Sequence, residues 1–170
     1  AIPHNSNGSN GQMFEDEKWN GEVVDKEYAE FRMRNEPLVE VTQVKGTSET
    51  HPLLSPNDEW ANFEIFPSRI GQNIYSIPYG GYVRDAYLRG MLAEWEGKGN
   101  PYKFGLVGAS DTHTAASSYD ESNYWSKVGL LDGETFLRGS TTLAKEDIDQ
   151  ITSSVNTQGL YRFVEQDEEY

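Results

Sequence analysis

Apolar residues along this chain fall into two kinds of pattern, and their order predicts the architecture. Over residues 25–35, Tyr28, Phe31 and Met33 recur at helical spacing behind Asp25, a residue suited to an N-cap, and Pro37 stops the pattern. The next six residues, Leu38-Val39-Glu40-Val41-Thr42-Gln43, read as a strand. Residues 81–96 place Val83, Tyr87, Leu88, Met91, Leu92 and Trp95 at helical spacing, with Gly97, Gly99 and Pro101 beyond the end. A second strand is expected at 103–108, running into Ala109-Ser110-Asp111-Thr112-His113-Thr114, and a further helix at about 144–155. Between the first strand and the second helix, residues 44–79 carry four prolines. Phe63, Ile65, Phe66, Ile70, Ile74 and Tyr75 in that stretch predict a long loop that packs rather than wanders. Ala1-Ile2-Pro3-His4 reads as the end of a strand. The Asn/Gly/Ser run behind it reads as a flexible linker or as a loop following that strand. Strands alternating with helices predict an α/β fold with parallel strands and crossover helices.

Composition narrows the function classes. The 170 residues suffice for one domain or part of one, and the 36% hydrophobic content predicts long polar loops. A net charge of −14 argues against a basic face for phosphate backbones or anionic lipid, so neither a nucleic acid nor a membrane is expected as partner. With no cysteine, thiolate chemistry and disulfides are excluded, and cytoplasm and periplasm stay open as compartments. No apolar run approaches the roughly 20 residues of a membrane-spanning helix.

The candidate chemistry is carried by three histidines and their acidic neighbours. His4 ends the first strand fragment, His51 stands in Glu49-Thr50-His51-Pro52, and His113 closes Asp111-Thr112-His113. Ligands of parallel α/β folds bind at the carboxyl ends of strands. In extended backbone Asp111 and His113 would point the same way and converge on one ion or two adjacent ones. Mixed oxygen and imidazole donors suit zinc, manganese or iron. Glu40 sits between apolar neighbours, where a carboxylate needs a partner or a metal. Arg84 and Lys45 are candidates to meet an anionic substrate, with Arg69 as a third cation. No nucleophile elbow, P-loop or dinucleotide fingerprint is present, and Gly80-Gly81 reads as the start of a helix rather than a phosphate cradle.

Four segments, taken in order, resemble the DUF3604 family: Ile2-Pro3-His4-Asn5, Val44-Lys45-Gly46-Thr47-Ser48-Glu49-Thr50-His51-Pro52, Tyr82-Val83-Arg84-Asp85-Ala86 and Phe104-Gly105-Leu106-Val107-Gly108-Ala109-Ser110-Asp111-Thr112-His113-Thr114. The resemblance covers roughly residues 1–133. That family is similar to the polymerase-and-histidinol-phosphatase (PHP) hydrolases, metal-dependent phosphoesterases. The resemblance implies a distorted (β/α) barrel with two or three metals at the carboxyl ends of its strands. Asp111 and His113 match the late D-x-H of such sites, and His4 matches a strand-end histidine. Glu49 and His51 lie in a segment typical of the group, with their role open between metal and substrate. Glu40 falls where related barrels place a strand residue near the site.

The early H-x-H of such enzymes is absent. The expectation is therefore a partial TIM-like barrel of PHP type lacking its N-terminal half, with residues 1–133 the barrel part and 134–170 a helical, acidic tail. The function expected of the parent is hydrolysis of small phosphate or sulfate esters at a di- or trinuclear centre. The alternative is an inactive truncated chain that binds metal and forms homo-oligomers through an exposed barrel edge. A carbohydrate-binding module is a third reading, and it requires Trp60, Trp95 and Trp125 to share one open face.

Overall fold

The computed structural model describes residues 1–72, 74–111, 122 and 144–157. Among them are helices α1 (Lys26–Asn35), α2 (Val83–Trp95) and α3 (Lys145–Thr157), and strands β1 (Leu38–Gln43), β2 (Gly46–Thr47) and β3 (Gly105–Gly108). Asp25 caps α1 as its chemistry predicts: its carboxylate accepts the Tyr28 N–H at 2.8 Å, satisfying one of the unpaired donors of the first turn. β1 spans the residues expected of it.

The sheet order is β2-β1-β3. β1 runs antiparallel to β2 across a tight turn in which Gly46 has φ 86°, a left-handed conformation that favours glycine. β1 and β3 are parallel, with Val39 opposite Leu106 and Glu40 opposite Val107, and the ladder shifts between Glu40 and Thr42. The connection from β1 to β3 contains α2, so the three form a βαβ unit. The Pro3 carbonyl accepts the Glu40 N–H at 3.0 Å, which ties Pro3 to β1, but the strand end expected at residues 1–4 is not formed.

One core lies between the sheet and α2: Phe14, Val39, Val83, Ala86, Tyr102 and Phe104, with Met13, Val41 and Tyr87 against them. Phe14 meets Tyr102 edge-on at 5.6 Å, an arrangement that complements the ring quadrupoles. Two arginines hold the loop that delivers Phe14. Arg32 donates to the Met13 carbonyl and lies 5.1 Å from the Tyr102 ring centre. Arg89 donates to the Phe14 carbonyl, pairs with Asp16 and Asp85, and stacks 4.6 Å from the Tyr79 ring. A second cluster joins Ile65, Tyr82 and Ile151, with Leu53, Leu54, Tyr75 and Ile148 beside it. Through Ile148 and Ile151, α3 packs on the long loop and on the residue preceding α2, so this helix is docked to the rest of the fold.

Two expectations need correction. The Asn/Gly/Ser segment is not a loose linker: Ser6, Asn7 and Gly8 form a buried 3-10 turn. Asn7 donates to the Lys45 carbonyl and accepts from the Ser48 hydroxyl, Asn5 accepts from Gln43, and Asn10 accepts the Ile77 N–H. The amides that make such a run resemble a linker supply here the partners that buried backbone requires. In α2 the side turned inward carries Val83, Ala86 and Gly90, while Leu88, Met91, Leu92 and Trp95 are exposed.

Candidate site at the carboxyl ends of β1 and β3

Four candidate residues lie along β1 and just past β3. Glu40 is the third residue of β1, and His4 follows Pro3, whose carbonyl holds the Glu40 N–H. Lys45 stands in the turn after β1, and Asp111 lies three residues past β3. Glu40 is half-buried on β1, and burial pushes its carboxyl above the usual range. His4, Lys45 and an Asn5 N–H draw it back down, while the Asp111 carboxylate pushes it further up. The Glu40 carboxylate thus lies within electrostatic reach of a second carboxylate, an imidazole and an ammonium. Lys45 and Asp111 form an ion pair, both side chains mostly buried. His4 approaches the Ile2 carbonyl with Nδ1 at 3.2 Å; with the proton on Nδ1, Nε2 is left as a lone-pair donor.

The backbone is bent on both sides of this cluster. Asn5 and Asp111 have φ 58° and 57°, left-handed values that Asn and Asp tolerate better than most residues. The extended geometry assumed for Asp111-Thr112-His113 is therefore not adopted at Asp111. The Ala109 N–H donates to the Thr42 carbonyl, carrying the β3 ladder up to the bend. His113 lies outside the described residues, as does Trp125. Ser6, two residues beyond His4, has a buried hydroxyl without a hydrogen-bond partner.

The remaining sequence candidates stand elsewhere. His51 is 1% exposed, packed against the Tyr82 ring at 5.4 Å, and its Nδ1 accepts the Leu53 N–H at 3.2 Å. Desolvation lowers its pKa to about 3, so the ring is neutral with its proton on Nε2, the nitrogen a metal would need. Glu49 is exposed and paired with Arg84, which also holds Asp58 at 2.5 Å. The Arg84 guanidinium keeps the Asp58 carboxyl below its usual range. Arg84 and Lys45, the two cations expected to meet substrate, are thus both held by carboxylates of the chain. The spacing of charges along the sequence carries no signal for these pairings, since their partners lie 26 to 66 residues away. Among the described residues, no three His, Cys, Asp or Glu side chains are grouped closely enough to hold an ion as they stand.

The described residues define a mixed α/β protein with a small three-stranded sheet, along which Glu40, His4, Lys45 and Asp111 interact electrostatically. The family described as protein of unknown function (DUF3604) matches residues 1–163, and the chain belongs to that family. The match extends past residue 133, so the last helix falls within the family's shared region. No curated protein and no solved structure matches the chain. Among the described residues no helix is long and apolar enough to cross a membrane.

Proposed function

We propose that this chain carries part of a divalent-metal centre of a hydrolase for phosphate or sulfate esters, with β1-α2-β3 as one unit of a (β/α) barrel of PHP type. The observation that carries the reading is the electrostatic coupling of Glu40 on β1 to His4 and to Asp111 just past β3, which a small rearrangement would have to draw together around an ion. The donor set fits such an ion: an imidazole with one nitrogen anchored on a backbone carbonyl, and two carboxylates whose repulsion a cation relieves. His4, Glu40 and Asp111 would hold the metal, with His113 as a further donor from the family motif. Glu49 and His51 leave the proposed set, because Arg84 holds one and the other is a core histidine with the wrong tautomer. A bound zinc, manganese or iron ion supplies an acidified water and polarises the ester oxygen. Lys45, once separated from Asp111, presents its ammonium to the anionic ester.

Metal content of the chain after loading with manganese or zinc and dialysis, measured by plasma mass spectrometry, tests this. Near-stoichiometric metal that is lost in Asp111→Asn and Glu40→Gln, with slow hydrolysis of p-nitrophenyl phosphate or sulfate by the loaded wild type, is the expected result. Wild-type chain that retains no metal, or variants that retain all of it, would overturn the assignment.

A second reading, self-association, is favoured by the sheet. Among the described strands β3 is paired on one side only, and Leu106 on it is exposed. An open edge of this kind is a template for a second chain.

A further inference from the structure

The loop between the His51 segment and Ile65 presents two aromatic side chains to solvent although its backbone is firmly fixed. Trp60 is 73% and Phe63 57% exposed. Between and beyond them Ala61 and Ile65 are buried. Asp58 accepts the Trp60 N–H on its carboxylate and the Ala61 N–H on its carbonyl, and Arg84 clamps the same carboxylate. The Glu64 carbonyl accepts the Thr47 N–H, tying the loop to β2, and Glu64 itself takes φ 54°. The two rings are therefore held outward by the fold.

They line a cavity of about 330 Å³ whose other walls include Thr42, Thr47, Glu49 and Glu64. This volume sits at the small end of ligand pockets and suits a single ring. An exposed indole face stacks on the C–H face of a sugar ring, while hydroxyls and carboxylates around it accept hydrogen bonds from ring hydroxyls. Two glutamates in the wall disfavour a ring that is itself anionic. Thr42 joins this cavity to the candidate metal cluster: it lines the cavity, and its carbonyl holds Ala109, two residues before Asp111. Glu40 lies two positions back along the same strand, about 7 Å away.

We propose that this cavity receives the neutral, polyhydroxylated ring of the substrate's alcohol part, with Trp60 as its stacking platform. The substrate is then a monosaccharide phosphate or sulfate. The ester half rests on the hydrolase reading above; the ring half does not.

The test is binding of methyl β-glucoside, methyl β-galactoside and methyl α-mannoside, with benzyl alcohol as aryl comparator. It is read by saturation-transfer NMR and calorimetry on the full chain and on Trp60→Ala and Trp60→Phe. Manganese content is measured on the same samples. At least one glycoside is expected to bind, about tenfold more weakly in Trp60→Ala and nearly as well in Trp60→Phe, the size of one stacking contact. Metal content should be equal in all three proteins. Trp60 is exposed, so both variants should fold. Absence of glycoside binding, binding indifferent to Trp60→Ala, or Trp60-dependent binding of benzyl alcohol alone would overturn the ring site, whatever the metal result. Trp60-dependent glycoside binding in a chain that takes up no metal would support the ring site while sinking the hydrolase reading.

Discussion

His51 and Glu40 show at the scale of single residues how burial reverses a reading made from residue type. His51 titrates near 6.5 when the chain is unfolded and near 3 when folded. Its contribution to stability is therefore complete above about pH 6.5 and is lost as pH falls toward 3, because only the unfolded state gains the proton. The urea midpoint should fall with acidification over that window, with this group adding up to about 1.4 kcal/mol per pH unit. His51→Gln, which keeps an acceptor for Leu53, should flatten that slope. Glu40 has the opposite sign. Its raised carboxyl favours the fold below the ordinary carboxylate range, and that advantage is lost as pH rises through the raised value. Glu40→Gln should accordingly raise the melting temperature of the metal-free chain at neutral pH while abolishing metal uptake, a loss of stability kept for function. Removing the competing ammonium in Lys45→Met should tighten manganese binding severalfold by calorimetry while lowering kcat/KM for the anionic ester. Gly80 has φ 75°, and a Cβ there would run into the Gly11 carbonyl oxygen. Gly80→Ala should cost about 2–3 kcal/mol in chemical denaturation. Of the candidate residues, the place of Glu40 within a strand was legible in its apolar neighbours, whereas the strand expected to end at His4 is not formed. The pairing of Lys45 with Asp111 was not legible, because 66 residues separate them.

At the scale of elements, type and position were legible where one local rule governs. Asp25 before an apolar-periodic run announced α1, and the β-branched run between Pro37 and Gly46 announced β1. The periodicity of α2 fixed a helix but not the stripe it buries. Its large side chains Leu88, Met91, Leu92 and Trp95 lie outside, whereas Ala86 and Gly90 lie inside, because the core leaves room only for small residues. At Gly90 a Cβ would meet the Asn100 side chain, whose oxygen accepts the Tyr102 N–H. Helix α3 was expected at about 144–155 within a helical, acidic tail, and the sequence carried no sign of what it packs against. The partners that bury Ile151, Ile65 and Tyr82, come from elsewhere in the chain. Ile151→Ala should cost about 2–4 kcal/mol, measured by urea denaturation. A variant unchanged in stability would show that α3 is not docked.

For the whole molecule, the charge of −14 and the edge that β3 leaves open among the described strands act against each other. Mutual repulsion keeps copies apart at low salt, and screening lets the edge pair. Sedimentation velocity should show a dimer fraction that grows with protein concentration and with salt. Leu106→Lys should abolish it at both salt levels with little change in stability. A species that remains monomeric at all concentrations would remove the self-association reading.

By itself the sequence determined those features that depend on neighbours along the chain: the helix cap at Asp25, the strand at 38–43, the βαβ order, and the acidic character of the chain. Tertiary structure decided everything that depends on which distant groups meet. It made His51 a neutral core residue, gave Arg84 and Lys45 internal carboxylates, and turned an Asn/Gly/Ser run into a buried connector. It also set Glu40 within electrostatic reach of His4 and Asp111. The physical reason is the same in each case. Backbone propensity is a local free energy that a short window of residues carries. The charge state and partners of a side chain follow from desolvation and Coulomb interactions, and these are set only once the chain has closed on itself.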